Sequence, residues 1–203
     1  MLRRVRPALA ALTIAGSVTT IPSALAAQNR DWAISPRAGL ALPLNDLGRA
    51  QDAGFTVGLG VERIVERTTR RAPMWGVRLD GELDRLAGAQ DGGRELPKAT
   101  LLRYTLGVEY WVPRDARSAF HASARGGFGG TTLTTGDRSG GGDPSGTFAT
   151  IMVGLKAGYS VVFVDTQWST VFAGNRLRGQ FGVNGNFKTL HVLALKAGVR
   201  IPM

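Results

Sequence analysis

Phe187-Lys188-Thr189-Leu190-His191-Val192-Leu193-Ala194-Leu195-Lys196-Ala197-Gly198-Val199-Arg200-Ile201-Pro202-Met203 is the stretch that decides the fold. Taken in twos from the end, Met203, Ile201, Val199, Ala197, Leu195 and Leu193 form a wholly apolar face. Arg200, Gly198, Lys196, Ala194, Val192, Leu190 and Lys188 form the other, which carries three cations. Alternation at period two over this length predicts a strand with one apolar and one polar face. The strand is longer than the roughly 9–11 residues needed to cross a bilayer, which points to a transmembrane β-barrel.

Seven earlier segments repeat the pattern, at residues 32–42, 55–66, 74–86, 100–112, 119–133, 147–159 and 161–172. The clearest is the third, where Trp75, Val77, Leu79 and Leu83 oppose Arg78, Asp80, Glu82 and Asp84. No helical periodicity competes with these readings. Connectors 43–54, 87–99, 134–146 and 173–186 are long and rich in Gly, Asn, Asp and Pro, as loops are. Connectors 67–73, 113–118 and 158–160 are short. Strict long–short alternation matches an outer-membrane barrel with short periplasmic turns and long external loops. With an even strand count, both ends of the barrel face the periplasm.

The first 26 residues read as a secretory signal peptide. Arg3, Arg4 and Arg6 form a basic start, residues 8–20 are apolar, and Ala24-Leu25-Ala26 fits a cleavage site before Ala27 or Gln28. Residues 27–203 then form a single barrel domain. Without Arg3, Arg4 and Arg6 the chain keeps 22 basic and 15 acidic residues, a net charge of +7. An exported basic chain is expected to meet anionic lipid or lipopolysaccharide and no nucleic acid. The sequence contains no cysteine and only two histidines, so neither a disulfide framework nor a zinc site is expected.

Alternation alone leaves open which face points outward. A soluble lipocalin-like carrier would bury the apolar face and bind a ligand with it. Three features favour the inverted arrangement. Aromatics on the apolar face fall into two belts, Trp32, Trp75, Tyr110, Phe120 and Tyr159 at the short-turn ends and Phe55, Phe172 and Phe187 at the loop ends. Glycines crowd the opposite face, as a narrow interior requires. The charges on that face nearly balance: Arg37, Arg78, Arg103, Arg125, Lys156, Lys196 and Arg200 against Glu62, Asp80, Glu82, Asp84, Glu109 and Asp165. Buried charges must be paired, so these thirteen residues are expected to form a structural network in a closed lumen.

Residues 35–44, 54–62, 106–110 and 193–203 resemble the small eight-stranded outer-membrane β-barrel domain proteins. The resemblance implies an all-β, antiparallel up-and-down transmembrane barrel in the outer membrane, and handling of the C-terminal strand by the barrel-insertion machinery. That family usually ends in an aromatic residue, where this chain has Met203. Pro36 and Pro202 lie within predicted strands, and their missing N–H groups call for a local break in pairing near the periplasmic edge.

Eight strands leave an interior just wide enough for side chains, so the charges are expected to plug the barrel and not to line a pore. The expected role is non-enzymatic, structural or surface-contact, for a monomer without cofactor. Alternatives are a narrow channel and a lipid-modifying enzyme. His121, Ser123 and Glu109 share the polar face and supply the residue types of a hydrolase. The glycine runs at 126–130 and 140–142 neither open a helix nor precede a lysine, which argues against phosphate binding. His191 falls on the lipid face near the loops.

Overall fold

The computed structural model describes residues 32–67, 74–91, 93–112, 119–136, 145–174 and 187–203. The expected leader, the glycines at 140–142 and most of the last long loop, Asn175 to Asn186, lie outside the described residues. Eight long strands build the wall: β1 (Trp32–Leu44), β2 (Gln51–Arg67), β3 (Met74–Gly88), β4 (Ala99–Trp111), β5 (Phe120–Thr135), β6 (Ser145–Tyr159), β7 (Val162–Phe172) and β8 (Thr189–Val199). Each pairs antiparallel with its sequence neighbours, and β8 pairs back onto β1 from Arg37↔Gly198 to Leu44↔His191. The sheet therefore closes into a barrel without a free edge, which satisfies every wall strand in a medium that offers no water.

Closure is interrupted once. Past β8, Ile201–Pro202 pairs with Ala33 and Ile34, leaving Ser35 and Pro36 between the two pieces of ladder. Pro36 has no N–H to donate, which removes one bond from the ladder at the break. The Arg200 backbone N–H turns instead to the carbonyl of Val161 at 2.7 Å. Beyond the break, the N–H of Met203 donates to the carbonyl of Trp32 at 2.9 Å, so both ends of the wall meet at one rim. The same rim carries the tight β6–β7 turn, where Ser160 takes a φ of 56°.

Side-chain accessibility settles which face is outside. Along β3, Arg78, Asp80, Glu82 and Asp84 are buried, whereas Leu79 is 56% exposed and Val77 and Leu83 are also open. The soluble-carrier alternative needed the reverse, an apolar cavity inside a charged shell. Trp32, Trp75, Tyr110, Phe120 and Tyr159 are exposed at the short-turn rim, and Phe55 and Phe172 at the loop rim.

Three features depart from the sequence reading. Phe187, expected in the outer belt, is only 2% exposed and lies inside. Period-two parity holds only from Thr189, where β8 starts, and Phe187 precedes it in a turn whose Lys188 carbonyl accepts from Ala173 and Gly174. Phe187 joins Leu47, Leu86, Leu101, Leu133, Phe148, Val171, Leu190 and Val192 in an apolar cluster that fills the loop half of the barrel. The interior is thus charged in one half only. The connector expected at 43–54 is shorter than predicted: β1 and β2 extend toward each other, and Asn45–Ala50 forms a one-turn helix, α1. Its Leu47 and Ala50 drop into the cluster. Within the next connector, Gln90–Asp91 and Arg94–Glu95 form a small hairpin around Gly93, whose φ of 89° suits glycine.

Candidate functional site

The candidate site is the charged half of the lumen. Its axis is β3, which places Arg78, Asp80, Glu82 and Asp84 inside at alternate positions, one cation followed by three anions. Cations from the other strands reach across to them. Arg37 of β1 bonds Asp80 and Glu82, each at 2.6 Å. Arg103 of β4 holds Asp84 at 2.8 Å and Glu82 at 2.9 Å. Lys196 of β8 meets Glu82 at 2.5 Å, so one carboxylate faces three cations.

Arg78 turns the opposite way along the barrel, to Glu62 at 2.7 Å and Glu109 at 2.9 Å, while its Nε stays on Asp80. Lys156 joins the same two glutamates at 3.4 and 2.5 Å. Arg200 also binds Glu62. On the far wall Asp165 takes Arg125 at 2.5 Å and Lys196 at 3.4 Å, with Arg37 at 3.8 Å. All thirteen residues named from the sequence belong to this connected network. Twelve are buried at 5% exposure or less, and Arg200 reaches the rim.

Glycine makes room for this density. A Cβ at Gly60 would run into the Arg78 guanidinium, and one at Gly154 would meet Arg125 Nε at 2.9 Å. These side chains press against bare backbone, which a wall of larger residues would forbid.

Sequence reasoning missed several members. Gln167 donates to Glu82 at 2.7 Å and accepts from Arg125 at 2.6 Å and Lys196 at 2.7 Å, so a neutral amide bridges like charges. Ser169 accepts from Arg103. Their parity gave the signal, but an uncharged residue leaves no trace in a charge count. Trp111 and Phe163 also turn inward, and the Lys156 ammonium lies 5.8 Å and 5.3 Å from their ring centroids. Such contacts stabilise a desolvated cation.

His121, Ser123 and Glu109 do not assemble as a nucleophile–base pair. Ser123 donates its proton to Glu109 at 2.5 Å, a carboxylate already shared by Arg78 and Lys156. The His121 ring lies against Gly158 on β6, its partner in register. His191 lies on the outer face, with Nδ1 3.1 Å from the Thr170 hydroxyl and its ring edge-on to Trp168.

No protein-family model and no curated protein matches the sequence. Solved structures do match. Neisserial surface protein A, NspA, superposes with a TM-score of 0.52 at 16% identity, covering 85% of this chain and 97% of that one. The fold is that of the small eight-stranded outer-membrane β-barrels. The outer-membrane enzyme PagL matches at a TM-score of 0.50 and 15% identity, over 84% of this chain and 99% of that one. Ail of Yersinia pestis matches at 0.45 and 14%, over 84% and 99%. An apolar belt bounded by aromatic girdles is stable only in lipid, and the barrel resides in the outer membrane.

Proposed function

We propose that this barrel is a closed, non-enzymatic outer-membrane protein with a structural or surface-contact role. The observation that carries the reading is the filled interior. The network occupies one half of the lumen and the apolar cluster the other, and among the described residues their side chains are buried against one another with little room for water. Eight strands enclose only enough space for such side chains, whereas aqueous pores use about sixteen. With the lumen plugged, contacts fall to the outer wall and the loops. Lipid and lipopolysaccharide are the proposed partners of a monomer, and the C-terminal strand is the segment proposed to engage the insertion machinery.

PagL is an enzyme on the same fold, so the fold leaves activity open. What supports a non-enzymatic reading is the bonding at Ser123, which aims its proton at a saturated carboxylate and not at an imidazole. Reconstitution in planar bilayers tests the plug. The expected record shows no unitary conductance at about 100 mV, a potential worth about 2.3 kcal/mol per charge. Stable steps whose ion selectivity changes in Arg103→Gln would overturn the reading.

A further inference from the structure

A cavity of about 220 Å³ opens inside the short-turn rim, below the charge network. Ile64, Met74, Trp111 and Pro202 give it apolar walls, and His121 and Arg200 stand among them. Neither the plug nor the membrane belt requires it. We propose that this mouth binds a compact monoanion with an apolar body, a small aromatic or short-chain carboxylate taken from the periplasm.

Charge and shape both argue for this. The network as a whole sets seven cations against six carboxylates, one positive charge in surplus, and at the mouth end Arg78, Lys156 and Arg200 meet Glu62 and Glu109, with Arg78 also on Asp80. The deeper set is even: Arg37, Arg103, Arg125 and Lys196 face Asp80, Glu82, Asp84 and Asp165. Arg200 is the network's outermost cation, with a 21% exposed side chain, and it is where that surplus opens to the cavity. Its Nε binds Glu62, and the same fork carries further N–H donors at the cavity wall. A carboxylate matches that fork in geometry as well as charge.

The walls exclude a bare inorganic anion as the best fit, because most of the lining would gain nothing from it. An engineered apolar cavity of about 150 Å³ binds benzene, so about 220 Å³ holds such a ring with a carboxylate attached. The Trp111 ring, 5% exposed, supplies a face for it.

The test uses the barrel in lipid nanodiscs, titrated with benzoate, hexanoate and neutral benzyl alcohol while tryptophan indole N–H resonances are followed. Trp111 is the lumen tryptophan, and Trp32, Trp75 and Trp168 face outward as internal controls for partition into lipid. Saturable shifts at Trp111 alone are expected, with the carboxylates binding about tenfold tighter than benzyl alcohol. Benzoate and hexanoate together separate ring recognition from chain recognition. Arg200→Gln should reduce benzoate affinity to that of the alcohol, and Ala119→Phe should abolish binding by filling the mouth. Linear shifts shared by all four tryptophans, or equal affinity for benzoate and benzyl alcohol in the wild-type barrel, would overturn the proposal. That last comparison needs no variant to fold.

Discussion

Glu82→Gln is the sharpest perturbation of the plug. The side chain is 2% exposed, and its carboxylate takes Arg37, Arg103 and Lys196 within 2.9 Å, together with the Gln167 amide. The substitution keeps the shape and removes one negative charge from among three cations. Removing one partner of a buried pair costs about 3–5 kcal/mol, because the other charge stays buried and unpaired. Compensation is partial here. Arg37 retains Asp80 at 2.6 Å and Arg103 retains Asp84 at 2.8 Å. Lys196 keeps only Asp165 at 3.4 Å and the Gln167 oxygen. The expected loss therefore lies near the low end, about 3 kcal/mol. Urea unfolding from lipid vesicles, followed by tryptophan fluorescence and by the gel shift between unboiled and boiled protein, gives the measurement. A Glu82→Gln/Lys196→Gln double variant removes one charge of each sign and should lose less than the sum of the singles, with a coupling of about 1–3 kcal/mol. If Glu82→Gln unfolds within about 0.5 kcal/mol of wild type, the range of an ordinary surface change, the lumen is solvated and the plug argument fails.

Two further substitutions test the depth and the sidedness of the interior. Phe187→Ala should cost about 3–5 kcal/mol in the same unfolding assay, as a buried aromatic does, while Phe172→Ala on the outer wall should cost clearly less. Leu79→Arg puts a charge on the lipid face of β3 and should destabilise the barrel by about 2–4 kcal/mol, or prevent its insertion; an unchanged stability would mean that this face does not meet hydrocarbon.

Much of this architecture was legible because a membrane barrel writes its fold at period two. In β3, Arg78 to Asp84 alternate with Val77 to Leu83, so parity alone assigned each side chain to wall or lumen. The charge network followed, since ionised residues facing a closed interior have to find one another. Depth was harder to read. Where Leu101 adjoins Leu102, Val171 adjoins Phe172 and Val192 adjoins Leu193, both faces are apolar, and that failure of alternation marked the inner cluster. Parity names a side and is silent on whether the inside is wet. Helix α1 left less signal still. Six residues are too few for a repeating stripe, and only the spacing of Leu47 and Ala50, three apart, hinted that one turn would bury both. Phe187 precedes Thr189, so the parity of β8 does not govern its side.

The network also bears on how the wall closes. The lumen face of β3 carries Arg78 against Asp80, Glu82 and Asp84, a net of −2, and no neighbour neutralises it alone. Lys196 lies 114 residues from Glu82 in sequence, and Arg37 lies 45 away. Arg37 reaches Glu82 across Gly58, within the consecutive strands β1, β2 and β3, whereas Lys196 reaches it only when β8 stands beside β1, as it does from Arg37↔Gly198 onward. An open sheet in lipid would expose those carboxylates to a medium that penalises unpaired charge by several kcal/mol each. Closure therefore completes the neutralisation that Arg37 and Arg103 begin. Partly closed forms, with Lys196 away from Glu82 and Asp165, are disfavoured by the charges that stabilise the finished barrel.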